Sequence, residues 1–275
     1  MAALAAPLAI GLLFLTGAVA LATSPSPTPS PTQEPLIPLP SSPSPSASPS
    51  HSASPSPKPP AAALPRPTAA HPLKIWFGGD SLSGVPGIAF APMAQATGVM
   101  HCTVDYQVSS RIVNDLVLNW PAHMRLVMAA QHPKAVVFMI GANEGGFSAT
   151  VNGSVVDFWS PGWRAYYRSR IAKMVAIMVS GGARRVYWVG MPEMGPAAYS
   201  GMNAQMLRIN AIVKQELKLH SRCRYVDAWK ILSTAAGGYV AAYRGGDGIH
   251  LSPAGGKRLA SAIMRIVRKE WLPSP

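Results

Sequence analysis

Cysteine is scarce in this 275-residue chain: only Cys102 and Cys223 occur, so at most one disulfide can form and a cysteine-built metal cluster is excluded. Acidic residues are few as well, 11 against 24 Lys+Arg. No Lys-Ser/Thr follows a glycine loop, which removes a P-loop, and no G-x-S-x-G elbow occurs. Zinc-finger, RNP and helix-turn-helix patterns are missing, so nucleic acid is not an expected partner. No metal-ligand spacing or dinucleotide fingerprint appears, and no cofactor is expected. Beyond the first 22 residues no apolar run is long enough to cross a bilayer.

That first run, "AALAAPLAIGLLFLTGAVALA", is continuously apolar and ends in small residues that suit an A-x-A cleavage site. Residues 1–22 read as a signal peptide or, uncut at roughly 20 residues, as a membrane anchor. Either reading places the chain outside the cytoplasm. Residues 23–72 are Pro, Ser, Ala and Thr with Glu34, Lys58 and Arg66 as the charged exceptions. Such a stretch buries too little apolar surface to offset its ordering entropy, and proline biases it to an extended form. It reads as a spacer reaching on the order of 150 Å at about 3.1 Å per residue.

Residues 73–275 then carry 22 Lys+Arg (24 less Lys58 and Arg66) and 10 Asp+Glu (11 less Glu34), a surplus of about +12. Solvated helix faces account for much of it, but a surplus of this size favours anionic surroundings, a wall polymer or a membrane surface. In this part five apolar runs, "LKIWFG", "CTVDYQV", "AVVFMIG", "RRVYWVG" and "CRYVDAW", alternate with helical patterns around Pro86–Gly98, Asn114–Gln131, Trp163–Ser180, Met202–His220 and Pro253–Trp271. Apolar strands separated by helices predict one α/β domain with a parallel sheet covered on both faces.

Chemistry in such sheets sits beyond the carboxyl ends of the strands, and polar punctuation falls there. Run one ends in "GGDSLS", run three in "GANE", and "DGIHLSP" opens the last helix. Serine needs a base, and the base needs a group that holds its tautomer. Ser81 is the candidate nucleophile, His250 the base and Asp247, three residues earlier, its orienting carboxylate. Asn143 and the Ser81 backbone N–H are candidate oxyanion donors. Singly, Ser81 reads as a helix cap, Asn143 as a turn residue and His250 as a surface residue; their ordered appearance at strand ends carries the joint reading.

"GGDSLS", "GANE" and "DGIHL" resemble the first, third and fifth blocks of the SGNH/GDSL hydrolase superfamily, and "NWP", "WRAYYRSRI", "VYWVGMPEM" and "YVDAW" resemble an exported bacterial branch of it. The resemblance spans residues 73–275. It implies a flavodoxin-like three-layer sandwich with a five-stranded parallel sheet in the order 2-1-3-4-5, and ester hydrolysis or acyl transfer through Ser81, Asp247 and His250, with Asn143 in the oxyanion hole. The family's second block supplies a glycine N–H, whereas this chain reads "QVSSRIVND"; Ser109, Ser110 or Arg111 must stand there, and Ser110 is assigned the role. Its N–H serves unless the backbone needs φ > 0, which glycine tolerates better. The third block has Glu144 where Asp is commoner.

The implied strand order puts Cys102 and Cys223 on opposite edges, four spacings of about 4.8 Å or roughly 19 Å apart, too far to bond. Asp80, Trp159 and Trp163 are expected to touch substrate, the tryptophans because aromatic faces suit sugar rings, although both also suit packing on the sheet. The expected activity is a serine esterase that removes O-acyl groups, acetyl above all, from a cell-envelope glycan or similar ester. An O-acetyltransferase with the same nucleophile and a non-catalytic wall-binding module are the alternatives.

Overall fold

The computed structural model describes residues 64–272; the segments read as leader and as most of the spacer lie outside the described residues. Residues 60–275 form a compact unit. Within it the spacer reading gives way nine residues before the first strand: Leu64 packs on the core and Pro67 is buried.

Five strands form the main sheet: β1 Leu73–Gly79, β2 Met100–Tyr106, β3 Ala135–Met139, β6 Arg185–Val189 and β7 Cys223–Val226. All are parallel, in the order β2-β1-β3-β6-β7. A small antiparallel pair, β4 Ala149–Val151 and β5 Ser154–Val156, sits between β3 and the next helix. Its turn, Asn152-Gly153, has φ of 50° and 81°, the conformation that Asn-Gly favours in two-residue hairpins. Among the described residues the α-helices are α1 Gly84–Gln95, α2 Trp120–Gln131, α3 Pro161–Ser180, α4 Met202–Leu217, α5 Ala228–Ile231 and α6 Pro253–Trp271. Side-chain oxygens of Asn119, Ser160 and Ser252 cap α2, α3 and α6, each beside a proline in the first turn.

Alternation along the strands divides the core in two. Ile75, Phe77, Val137 and Tyr187 face α1 and α6, meeting Phe90, Leu259 and Ile263. Trp76, Val136, Phe138 and Trp188 face α2 and α3, meeting Trp120, Trp163, Tyr167 and Ile171. α4 contributes to both clusters, through Met206 to one and Ile209 to the other. The result is a three-layer sandwich in the expected strand order.

Most boundaries shift by one to three residues, as with α1, which runs Gly84–Gln95 rather than Pro86–Gly98, and two shifts have a clear reason. β2 begins at Met100 rather than Cys102, because Leu73 at the start of β1 pairs with Met100. α2 begins at Trp120 rather than Asn114, since residues 107–119 form an irregular connection that closes over the carboxyl edge of the sheet. Both cysteines are free and lie on the two edge strands. Among the described residues no helix is long and apolar enough to cross a membrane.

Candidate active site

The carboxyl end of β1 turns sharply at Gly79, whose φ of 143° and close approach to the Met139 carbonyl exclude a side chain. Asp80 follows, fully buried. Its Oδ1 accepts the Leu82 N–H at 3.0 Å, and its Oδ2 accepts the N–H groups of Gly141 and Ala142 at 2.9 and 3.0 Å. One carboxylate therefore ties the start of the Ser81 turn to the loop after β3 that carries Asn143. Asp80 cannot contact a substrate, which corrects the role expected of it: it braces the site from beneath. Burial pushes its pKa up to about 6 despite the three backbone donors.

Ser81 opens a single 3-10 turn, Ser81–Ser83, and lies at the floor of a cleft of about 440 Å³. Its Oγ–H donates to His250 Nε2 at 2.9 Å, and His250 Nδ1–H donates to Asp247 Oδ2 at 2.5 Å. Asp247 Oδ1 accepts the Ile249 and His250 N–H groups at 2.9 and 3.0 Å, so the loop folds back on its own carboxylate. The His250 ring bond, followed by these N–H groups, holds Asp247 down at about 2. The loop is fastened outside as well. Arg244 Nε donates to the Glu193 carbonyl at 2.9 Å, Arg244 bridges to Leu251, and Gly195 N–H donates to the Gly248 carbonyl at 2.6 Å. Ser252, two residues after His250, caps α6, so the imidazole sits at a rigid loop-to-helix junction. The side chains of His250 and Asp247 are 47% and 48% exposed, leaving the relay open to water.

Three residues that line the cleft carry N–H groups with capacity to spare, Ser81, Ser109 and Asn143. Among the described residues the Ser81 N–H has no acceptor. Asn143 Nδ2 donates one hydrogen to the Ser110 carbonyl at 3.1 Å and keeps its other free. The third donor is Ser109, where Ser110 was expected. Ser110 is fully buried, its N–H donates to the Gln107 carbonyl at 3.3 Å, and it does not line the cleft. Ser109 does line it, and its N–H has no acceptor among the described residues. Its φ is 58°, the left-handed conformation in which glycine is at ease. Gln107 N–H anchors the loop to the Gly79 carbonyl at 2.9 Å, and Arg111 Nη2 donates to the Ser109 carbonyl at 3.0 Å, which hold a non-glycine residue in that shape.

Beneath this loop lies Glu144, fully buried, whose two oxygens accept the Ile112 and Val113 N–H groups at 2.8 and 3.1 Å. Burial pushes it up to about 7, and the nearby Asp80 adds to the effect. Nothing in the sequence marks Glu144 as a brace; only its place in the third block draws attention to it.

The tryptophans lie elsewhere. Trp163 is fully buried, with its Nε1–H donating to the Phe147 carbonyl at 2.9 Å and its ring stacked on Tyr167 at 5.1 Å between centroids. Trp159 packs against Phe158 and Trp163 beneath the guanidinium groups of Arg164 and Arg208. Neither lines the cleft. Its walls instead hold Phe147 and Tyr199, 40% and 51% exposed, with Val108 and Ile249. The Arg111 guanidinium lies 3.6 Å from the Phe147 ring centroid, and Tyr199 O–H donates to Gln205 Oε1 at 2.8 Å, so both rings are held in place. No group of three or more metal-ligating side chains occurs among the described residues.

This geometry can be set beside known proteins. A family model described as "Protein of unknown function (DUF459)" matches residues 74–266. No curated protein matches the sequence. Solved structures with a similar fold include Est24, a carbohydrate acetylesterase from Sinorhizobium meliloti, at 18% identity and TM-score 0.53, covering 71% of this chain and 98% of that one. A GDSL-like lipase from Bacteroides thetaiotaomicron follows at 14% identity and TM-score 0.52, covering 75% and 92%. The aryl esterase of M. smegmatis aligns at 15% identity and TM-score 0.52, covering 72% and 99%. The fold is that of the GDSL/SGNH hydrolases.

Proposed function

The chain belongs to the DUF459 family, and we propose from that premise and the site geometry that it is a serine esterase, exported, removing acyl groups from hydroxyls of an envelope glycan. The observation that carries this reading is the continuous relay Ser81 Oγ–His250–Asp247, at 2.9 and 2.5 Å, beside three N–H donors. His250 Nε2 takes the Ser81 proton as Oγ attacks the ester carbonyl carbon, and Asp247 stabilises the imidazolium. The oxyanion of the tetrahedral intermediate is received by the N–H groups of Ser81 and Ser109 and by Asn143. The intermediate collapses by breaking the bond to the alcohol oxygen, which leaves with the proton from His250. Water, deprotonated by the same nitrogen, then attacks acyl-Ser81 and releases the acid and free Ser81.

Water reaches His250 freely in this open cleft, which favours hydrolysis over transfer of the acyl group to a second hydroxyl. Ser109 takes the φ > 0 conformation without glycine and keeps its N–H free, so the second block still offers a donor. A non-catalytic wall-binding module has no use for a serine already bonded to its base. Support for a sugar ester comes from Phe147 and Tyr199, aromatic faces pinned at the cleft wall, the part first sought in Trp159 and Trp163. A carbohydrate acetylesterase among the similar structures points the same way.

The test is turnover of an aryl acetate and of an acetylated chito-oligosaccharide by residues 60–275, beside a Ser81→Ala variant. Ser81-dependent release of acetate from both supports the reading. Acetyl moving to an added sugar acceptor instead of water makes the protein a transferase. A folded protein with no Ser81-dependent turnover of either compound defeats the enzyme reading.

A further inference from the structure

A fully parallel sheet gathers the amino ends of its strands at one pole and their carboxyl ends at the other. In this chain the carboxylates gather at one of these poles. Residues 73–275 hold ten carboxylate side chains, and eight of them, ten less Glu216 and Glu270, lie at strand carboxyl ends or in the connections that follow. At the opposite pole stands a row of four basic residues: Lys74 at the start of β1, Lys134 just before β3, Arg184 just before β6 and Arg222 just before β7.

Backbone bonds set these four side by side. Lys134 N–H donates to the Lys74 carbonyl at 2.9 Å, Arg184 N–H to the Lys134 carbonyl at 2.8 Å, and Val186 N–H to the Arg222 carbonyl at 3.1 Å. The row crosses three strand spacings, about 14 Å at about 4.8 Å each. α6 ends at this pole, where Glu270 pairs with Arg185 and Arg224, and adds Arg268 and Lys269. Lys74, Lys134, Arg184, Arg222, Arg268 and Lys269 are all exposed, and among the described residues none has an ion-pair partner. Leu219, 76% exposed, stands in the short connection between α4 and Arg222.

We infer that this pole is a docking surface for an anionic phospholipid bilayer, which holds the domain with its cleft facing away from the membrane. Cations spread across the blunt end of a sheet engage a plane of headgroups together, and an apolar Leu219 among them suits the headgroup boundary. The apolar run near the amino terminus, long enough to span a bilayer, supplies the reason to choose a membrane over a soluble polyanion. The inference is independent of the esterase reading, since no cleft residue takes part.

The experiment sediments residues 60–275, a compact unit with its own core, with vesicles of equal parts phosphatidylglycerol and phosphatidylcholine, and with phosphatidylcholine alone. Binding is expected to the anionic vesicles only and to be lost in 0.5 M salt, where the screening length falls to about 4 Å. At roughly fivefold per cation, the triple variant Lys134→Gln/Arg184→Gln/Arg222→Gln should bind about 10²-fold more weakly. A control triple, Lys230→Gln/Lys257→Gln/Arg258→Gln, removes the same charge near the carboxyl pole and should bind nearly as the parent does. Aryl acetate turnover, followed in parallel, should be the same in all three proteins. Equal losses in the two triples would make net charge, not the pole, the cause and overturn the inference. So would salt-insensitive binding, no binding to anionic vesicles, or tighter binding to soluble polyphosphate than to the vesicles.

Discussion

Replacing Glu144 with Gln tests the account of the buried brace under the Ser109 loop. The carboxyl group accepts two backbone N–H groups, from Ile112 and Val113, in a site with no exposed surface. Protonated or not, it presents two oxygens to them. An amide of the same shape presents one oxygen and an N–H₂ group that cannot accept, leaving one buried N–H unpaired at a cost of about 1–3 kcal/mol. The pH dependence has a definite sign. The folded-state pKa of about 7 lies above the ordinary 4.5, so between those values the folded chain holds a proton that the unfolded chain has lost. Stability at this position is therefore greatest below pH 4.5 and declines as pH rises toward 7. At about 1.36 kcal/mol per pH unit, the interval from 4.5 to about 7 amounts to about 3 kcal/mol. Glutamine does not titrate, so the variant escapes this decline. Urea unfolding of residues 60–275 at pH 5, 6.5 and 8 should show the variant less stable at pH 5, with the deficit shrinking toward zero or reversing by pH 8. Asp80 titrates in both proteins and largely cancels in the difference. Asp247, held at about 2, works in the opposite sense and only below the ordinary carboxylate range. A deficit that is constant or grows with pH would refute the reasoning.

Ser109→Gly should leave aryl acetate turnover within about threefold, because the backbone N–H is kept and glycine accepts φ of 58°. A loss approaching the 10²–10³-fold typical of a missing oxyanion donor would show that the Ser109 side chain matters. Trp163→Ala should cost about 3–5 kcal/mol in urea unfolding, as expected for a fully buried ring, while Phe147→Ala and Tyr199→Ala should raise KM for the sugar ester and spare KM for the aryl acetate. Equal effects of both cleft variants on the two substrates would remove the rings from sugar recognition.

The relay was legible because each member stands beside a local signal. Ser81 follows a strand and a glycine pair, Asn143 ends another apolar run, and Asp247 and His250 share a loop whose spacing lets a carboxylate reach an imidazole without help from the rest of the fold. The aromatic residues carried no such signal. Trp159 and Trp163 stand at the entrance to α3, and only the rotation of that helix against the sheet sends Trp163 into the core; Phe147 and Tyr199, in two unrelated loops, meet at the cleft because β3 and β6 are neighbours.

The sequence by itself determined the α/β class and, through the resemblance, the strand order and the edge-strand cysteines, because a parallel sheet converts position along each repeat directly into position along one axis. Tertiary structure alone decided which serine of "QVSSR" offers its N–H, that Asp80 is a brace and that Glu144 is a second one. The two braces depend on hydrogen bonds between residues 30 or more positions apart, such as Asp80 with Gly141 and Glu144 with Ile112, and the Ser109 loop on the bond from Gln107 to Gly79; no local pattern specifies them.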